Sequence, residues 1–124
     1  MRILIVENHP DTLESMKLYL QDAGYEVLTS MTVNEAFSVL SHCECEMMIC
    51  DIGLPDGTGW DLMERLKPSG RRLFAIAMSG FGMNADNARS QAAGFRHHLL
   101  KPFKSAELDK ILAQAVAEMR SYKG

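Results

Sequence analysis

The chain has 124 residues, of which 47% are hydrophobic and 23% are charged, a balance typical of one soluble globular domain. Its formal net charge of -3 argues against a nucleic-acid-binding domain, since such domains are normally basic. No apolar stretch approaches the roughly 20 residues of a membrane-spanning helix, and the first apolar run is too short for a signal peptide. We therefore predict one cytoplasmic domain with no direct contact to nucleic acid or membrane.

Short apolar runs alternate with longer amphipathic stretches along the chain. The apolar runs predict five strands, over residues 2–6, 25–28, 47–50, 73–78 and 95–100. The amphipathic stretches predict five helices, which begin near Pro10, Thr32, Gly59, Asn84 and Ser105. We assign residues 1–120 to a single domain and residues 121–124 to a polar tail.

Start and stop signals support these helices. Proline suits a first helical turn, so Pro10 opens the first helix, and Gly24 ends it. Thr32 and Glu35 have the spacing of a capping box at the start of the second helix. Five successive strand–helix units predict a parallel sheet with helices on both faces.

Five polar residues follow predicted strands: Glu7, Asn8, Asp51, Ser79 and Lys101. Right-handed crossovers bring the carboxyl ends of parallel strands to one edge of the sheet, where open α/β sheets bind their ligands. We therefore expect these side chains to converge, although they are far apart in the sequence.

Asp51 is compatible with three roles, as a nucleophile, a metal ligand or a helix cap. It lies about eight residues before the next predicted helix, which is too far to cap it. Together with Glu7 and Asn8 it offers two carboxylates and an amide oxygen, a hard-oxygen set that suits Mg²⁺. Glu7 and Asn8 could equally be turn formers.

Lys101 is the natural counter-charge for clustered carboxylates and a partner for phosphate, although most lysines are simply solvated. Pro102 restricts Lys101 to extended backbone, which fixes the direction of the lysine more than usual. Ser79 is either a turn residue or a hydrogen-bond donor to an oxyanion.

The three cysteines do not predict a disulfide framework. His42-Cys43-Glu44-Cys45 resembles a metal cluster, but a zinc site needs four ligands and usually a second paired motif. We interpret this segment as a polar loop and Cys50 as a small core residue.

Four segments carry a resemblance to a known family: Ile3-Leu4-Ile5-Val6-Glu7-Asn8, Asp51-Ile52-Gly53-Leu54-Pro55-Asp56-Gly57, Met78-Ser79-Gly80 and Leu100-Lys101-Pro102-Phe103. Together they resemble the motif set of receiver domains from two-component response regulators. The resemblance covers the whole chain. It implies a flavodoxin-like, doubly wound α/β domain with a five-stranded parallel sheet in the order 2-1-3-4-5 and five helices on its two faces.

The resemblance also implies a role for each matching position near Asp51. Asp51 corresponds to the aspartate that accepts phosphate from a histidine kinase. Glu7 and Asn8 fall at the acidic pair that helps to bind Mg²⁺, and Gly53 falls where a backbone carbonyl is a metal ligand. An asparagine at position 8 departs from the family, which usually has a second acid there, so we expect weaker Mg²⁺ binding.

Ser79 and Lys101 match the hydroxyl and the lysine that contact the phosphoryl group, and by the same analogy the peptide bond before Pro102 is expected to be cis. His98 stands where the family often has Tyr or Phe as a rotating switch residue. It is either a switch or a satisfied strand histidine. We predict that His97 lies on the surface.

The leading interpretation is a phosphoacceptor signalling domain of a phosphorelay, not an enzyme with a separate substrate. It implies a histidine kinase or phosphotransfer domain as one partner, and a downstream protein at the face of the fourth helix, fifth strand and fifth helix. A weak homodimer is compatible with this. The chain is either a stand-alone regulator or the C-terminal receiver of a hybrid histidine kinase.

Other functions fit these residues less well. A receiver-like interaction module that works without phosphorylation is made plausible by Asn8. An aspartyl phosphatase is disfavoured, because Gly53 occupies the position of the general acid that such enzymes need.

Overall fold

A computed structural model of the chain describes residues 1–80 and 87–122. Its main sheet has five strands: β1 (Arg2–Val6), β2 (Glu26–Ser30), β3 (Met47–Asp51), β4 (Phe74–Ser79) and β5 (Phe95–Leu100). All neighbouring strands are parallel, and their order is β2-β1-β3-β4-β5. The predicted fold class and strand order are confirmed.

The described helices are α1 (Pro10–Asp22), α2 (Val33–His42), α3 (Gly59–Leu66), α4 (Asn87–Ala93) and α5 (Ser105–Tyr122). A short 3-10 helix (Lys67–Ser69) follows α3. A small antiparallel hairpin with two residues in each strand, Gly53–Leu54 and Gly57–Thr58, precedes α3. The predicted start of the fourth helix at Asn84 lies outside the described residues. Helix α5 continues to Tyr122, so the predicted tail is helical over its first two residues.

The sheet buries apolar side chains on both faces. One face packs against α1 and α5, and the other against α2, α3 and α4. Strands β3 and β4 are buried at every position, as expected for central strands of a parallel sheet covered by two helix layers. Cys50 belongs to this core, in agreement with its prediction. The groups at the carboxyl edge of the sheet therefore follow strands that are packed on both faces.

Two strands extend one residue beyond their predicted ends. Asp51 is the last residue of β3 and pairs in register with Met78, and Ser79 is the last residue of β4. The main-chain N–H of Ile52 also donates to the carbonyl of Met78, at 2.9 Å. Asp51 and Ser79 are therefore fixed by sheet hydrogen bonds and do not belong to loops.

The segment after Asp51 is anchored to two helices. Thr58 and Asp61 form a capping box at the start of α3, which the sequence analysis did not identify. Gly59 lies so close to the strand that a Cβ atom there would be 2.9 Å from the carbonyl oxygen of Asp51. This close approach requires glycine and lets α3 begin directly against the end of β3.

Asp56 joins this segment to the N-terminus of α2. Its carboxylate accepts hydrogen bonds from the main-chain N–H groups of Val33, at 2.7 Å, and Asn34, at 3.0 Å. The hydroxyl of Thr32 accepts from the N–H of Glu35, which is half of the predicted capping box. Asp56, a residue distant in sequence, thus satisfies two further N–H groups in the first turn of α2.

The Asp56 cap predicts a pH-dependent contribution to stability. The N–H groups of Asn34 and Val33 hold the pKa of Asp56 below its ordinary value of 3.8. A lowered pKa in the folded state stabilises the protein above the unfolded pKa, and this stabilisation is lost as the pH falls through the folded value. We expect Asp56→Asn to unfold at lower urea concentration than the wild type at pH 7, with the gap closing in strong acid. An equal gap at both pH values would contradict the electrostatic explanation.

The predicted surface position of His97 is wrong. His97 is half-buried, because its ring lies against Phe74 and its Nε2 is 2.9 Å from a carboxylate oxygen of Glu118 on α5. Cys45 lies in the loop between α2 and β3, as predicted, and its side chain is buried there. Burial also raises the pKa of its thiol, which makes it less reactive than an exposed cysteine.

Candidate functional site

Three charged side chains meet at the carboxyl edge of the sheet. Lys101 Nζ donates to Glu7 Oε2 and to Asp51 Oδ2, each at 2.7 Å. The side chains of Glu7, Asp51 and Lys101 are 0%, 6% and 17% exposed. The sheet explains this meeting, because β1 and β3 are neighbours and the main-chain N–H of Lys101 donates to the carbonyl of Ser79, at 2.8 Å. The peptide bond between Lys101 and Pro102 is cis.

The two carboxylates differ in their electrostatics. Burial raises the pKa of Glu7, but hydrogen bonds from Lys101 and His9 outweigh it and leave this pKa below its ordinary value. Burial also raises the pKa of Asp51, and the adjacent Glu7 adds to this effect, so the pKa stays high despite the bond from Lys101. Both carboxylates share Lys101, and Glu7 has an additional bond from His9 that favours its ionised form.

Lys101 is a charged partner for both acids. Burial lowers the pKa of its ammonium, but the bonds to Asp51 and Glu7 raise it more, so this pKa exceeds its ordinary value. One positive charge then faces two carboxylates. The cluster has a net negative charge, which favours a further cation.

His9 belongs to the site, although the sequence analysis did not identify it. Its Nδ1 lies 2.7 Å from Glu7 Oε1, and its main-chain N–H donates to the same oxygen at 3.3 Å. The side chain is 68% exposed, whereas Glu7 is fully buried. Its place directly after Glu7 and Asn8 is the sequence signal that points to it.

The oxygen atoms near Asp51 fit a hard divalent cation. Asn8 Oδ1 is buried and has no hydrogen-bond partner among the described residues, as expected of an atom that awaits a ligand. Gly53 is held beside Asp51 by a hydrogen bond from its N–H to Asp51 Oδ1, at 3.3 Å. In the part of the chain that the structure describes, ligand atoms of Glu7, His9 and Asp51 lie within 4.8 Å of one another. Carboxylate and amide oxygens suit Mg²⁺.

Ser79 is paired with His98. The distance between Ser79 Oγ and His98 Nε2 is 2.7 Å, and both residues lie on the face of the sheet that α4 covers. Burial lowers the pKa of His98, and its Nδ1 is buried without a partner among the described residues. The hydroxyl of Ser79 thus lies at the carboxyl edge with Asp51 and Lys101, but its side-chain hydrogen bond is with His98.

The contact between α3 and α4 is the last feature near the site. Trp60 Nε1 donates to Ser90 Oγ at 2.9 Å, and the guanidinium of Arg89 lies 4.0 Å from the centre of the indole ring. A cation over an aromatic face is attracted by the ring electrons. Trp60 therefore connects the segment after Asp51 to α4.

Comparisons with known proteins agree with this architecture. The response regulator receiver domain family matches residues 3–113. The protein named "Uncharacterized 14.6 kDa protein in sodA1 3'region" of Leptolyngbya boryana is 30% identical over 116 residues, which cover 92% of this chain and 88% of that protein. The regulatory protein SilR of Salmonella typhimurium is 31% identical over 108 residues, which cover 87% of this chain and 47% of SilR. The chain thus spans about half the length of that regulator.

A solved structure shows the same fold. The response regulator TrrA of Thermotoga maritima, in complex with Mg²⁺-BeF, superposes with a TM-score of 0.81 at 24% identity, over 92% of this chain and 97% of that one.

The fold and the site together define a signalling domain of two-component systems. The chain belongs to the response regulator receiver domain family, whose members interact with histidine kinases and downstream effectors and bind Mg²⁺ in an acidic pocket. None of the described helices combines the length and apolar character needed to cross a membrane.

Proposed function

We propose that this domain accepts a phosphoryl group on Asp51 from the phosphohistidine of a histidine kinase or a phosphotransfer domain. The observation that supports this most directly is the buried carboxylate of Asp51, which lies at the end of β3 with Lys101 Nζ at 2.7 Å.

The transfer forms one bond to phosphorus and breaks another. An oxygen of Asp51 forms a bond to phosphorus while the bond between phosphorus and the donor imidazole nitrogen breaks. The imidazole leaves with the electron pair and takes up a proton. Lys101 donates to a peripheral phosphoryl oxygen and so stabilises the charge there, which is the main task of a protein in phosphoryl transfer.

Glu7, Asn8, Asp51 and the backbone carbonyl of Gly53 would hold the Mg²⁺ ion. When bound, this cation neutralises charge on the phosphoryl oxygens. The support from this chain is the buried Asn8 Oδ1, which has no partner among the described residues and belongs to the residue directly after the buried acid Glu7. The complex of TrrA with Mg²⁺-BeF supports the same assignment by analogy.

Asn8 sets the strength of this metal site. Restoring a carboxylate by Asn8→Asp adds one negative charge next to Glu7, so we expect Mg²⁺ to bind about tenfold more tightly, a difference of about 1.4 kcal/mol. Isothermal titration of both proteins with Mg²⁺ measures this change. Equal affinities would show that position 8 does not contact the ion.

Phosphorylation would act on partners through Ser79 and His98. The phosphoryl group adds about one negative charge at Asp51 and offers acceptor oxygens to the Ser79 hydroxyl. When the Ser79 hydroxyl turns to this acceptor, its bond to His98 breaks. The His98 side chain on β5 is then free to change its orientation. The affected surface is that of α4, β5 and α5, where we place the downstream protein and a weak homodimer.

Acetyl phosphate tests the proposal. The protein is incubated with acetyl phosphate and Mg²⁺ beside a receiver domain of known reactivity, and intact mass is measured. We expect one added phosphoryl group, about 80 Da, in both proteins. No added mass under conditions that modify the control would refute phosphoacceptance and favour an interaction module that works without phosphorylation, as the uncharged Asn8 allows.

A further inference from the structure

We propose that His9 adds an imidazole nitrogen to the metal site, so that the site selects transition-metal dications such as Co²⁺ over Mg²⁺. This inference rests on the metal site of the proposed function and assigns it a further ligand. Its structural basis is the placement of His9 Nδ1 beside the two buried acids.

The ligand atoms are close enough to share one ion. Two ligands bound at about 2.1 Å to one cation lie at most about 4.2 Å apart. The candidate atoms of Glu7, His9 and Asp51 lie within 4.8 Å of one another, so an adjustment of about half an ångström is sufficient. His9 Nδ1 already contacts Glu7 Oε1 at 2.7 Å, on the same side as the acid pair.

His9 is also free to make this adjustment. Its side chain is 68% exposed, and its backbone is extended, with φ of -98° and ψ of 111°, immediately before α1. Glu7 is fully buried and bonded to Lys101, so it cannot move as easily. The exposed imidazole can therefore turn onto a bound ion with less disturbance of the packing than the buried carboxylate can.

The ligand types determine which cation gains from His9. Mg²⁺ prefers hard oxygen ligands and retains several waters, so an imidazole adds little to its affinity. Co²⁺ is a transition-metal ion, and such ions accept imidazole ligands more readily than Mg²⁺ does. Asn8 sharpens the difference, because the missing carboxylate weakens a mainly electrostatic Mg²⁺ site more than a site with a nitrogen ligand.

Calorimetric titration of the full chain with Mg²⁺ and with Co²⁺ tests the selectivity. His9→Gln removes the imidazole, and His42→Gln is the matched control, since His42 ends α2 with its ring bonded to the carbonyl of Ser38. We expect the wild type to bind Co²⁺ at least tenfold more tightly than Mg²⁺. His9→Gln should weaken Co²⁺ binding about tenfold and change Mg²⁺ binding less than about twofold, with His42→Gln like the wild type.

The visible absorption of Co²⁺ gives a readout that does not depend on affinity. The ligand-field bands should change in His9→Gln at saturating Co²⁺, because an oxygen or water replaces a nitrogen in the coordination sphere. Unchanged bands and affinities would refute the proposal. Equal weakening of Mg²⁺ and Co²⁺ would also refute it, since His9 would then act only by orienting Glu7.

These results are separable from the test of phosphoacceptance. If His9→Gln loses Co²⁺ selectivity but the wild type gains no phosphoryl mass, the ligand assignment stands and the proposed function fails. If the wild type and His9→Gln are phosphorylated equally with Mg²⁺ and Co²⁺ selectivity is absent, the proposed function stands and the ligand assignment fails.

Discussion

Lys101→Met is expected to lower the free energy of unfolding by about 3 kcal/mol, because it leaves two buried carboxylates without their shared cation. Methionine retains much of the lysine stem and removes only the ammonium, so the change tests charge and not packing. Urea denaturation measures the difference. Mg²⁺ should raise the melting temperature of this variant more than that of the wild type, because a cation that binds the folded state offsets the uncompensated charge.

Lys67→Met is the matched control for this experiment. Lys67 also pairs with a carboxylate, Glu64 at 2.8 Å, but its side chain is 54% exposed. Ion pairs in water contribute little, so the control should change stability by less than about 0.5 kcal/mol. Equal effects of Lys67→Met and Lys101→Met would contradict a buried charge cluster at the carboxyl edge.

Asp51→Asn should abolish phosphorylation and at the same time stabilise the fold. The amide lacks the nucleophilic oxygen, so no phosphoryl mass is expected after incubation with acetyl phosphate. Burial and Glu7 both disfavour a charge at this position, as the raised pKa of Asp51 indicates. Removal of the charge should increase the free energy of unfolding by about 1 kcal/mol, the scale of stabilising changes at functional sites.

Asp56→Asn is the control for the loss of phosphorylation. It makes the same chemical change five residues later, on an exposed side chain that caps α2. This variant should gain the phosphoryl group as the wild type does. Phosphoryl mass gained by Asp51→Asn would show that another residue accepts phosphate. If Asp51→Asn is less stable than the wild type, Lys101 favours the charge on Asp51 more than burial disfavours it.

The sequence predicted the sheet and the convergence of Glu7, Asp51 and Lys101, because these depend on periodicity and on the geometry of parallel strands. Alternation of apolar runs and amphipathic stretches specifies five strand–helix units, and parallel pairing then brings distant strand ends together. The polar residues at those ends could be identified because they directly follow apolar, buried strands. These predictions needed no information about individual contacts.

The contacts that depend on side-chain direction were not predictable in the same way. The bond from Asp56 to α2, the place of His9 beside Glu7 and the pairing of Ser79 with His98 join residues through space. No periodic pattern encodes such bonds. His97 was misassigned for the same reason, since Glu118 on α5 and Phe74 on β4 cover it from outside its own strand.

The contact of Trp60 with α4 has an optical consequence. Trp60 is the single tryptophan of the chain, so all indole emission originates between α3 and α4. Its N–H is bonded to Ser90 and its ring faces Arg89, and indole emission depends on both surroundings. The protein therefore carries its own fluorophore at this junction, and any rearrangement of α4 could be followed in real time without an attached label.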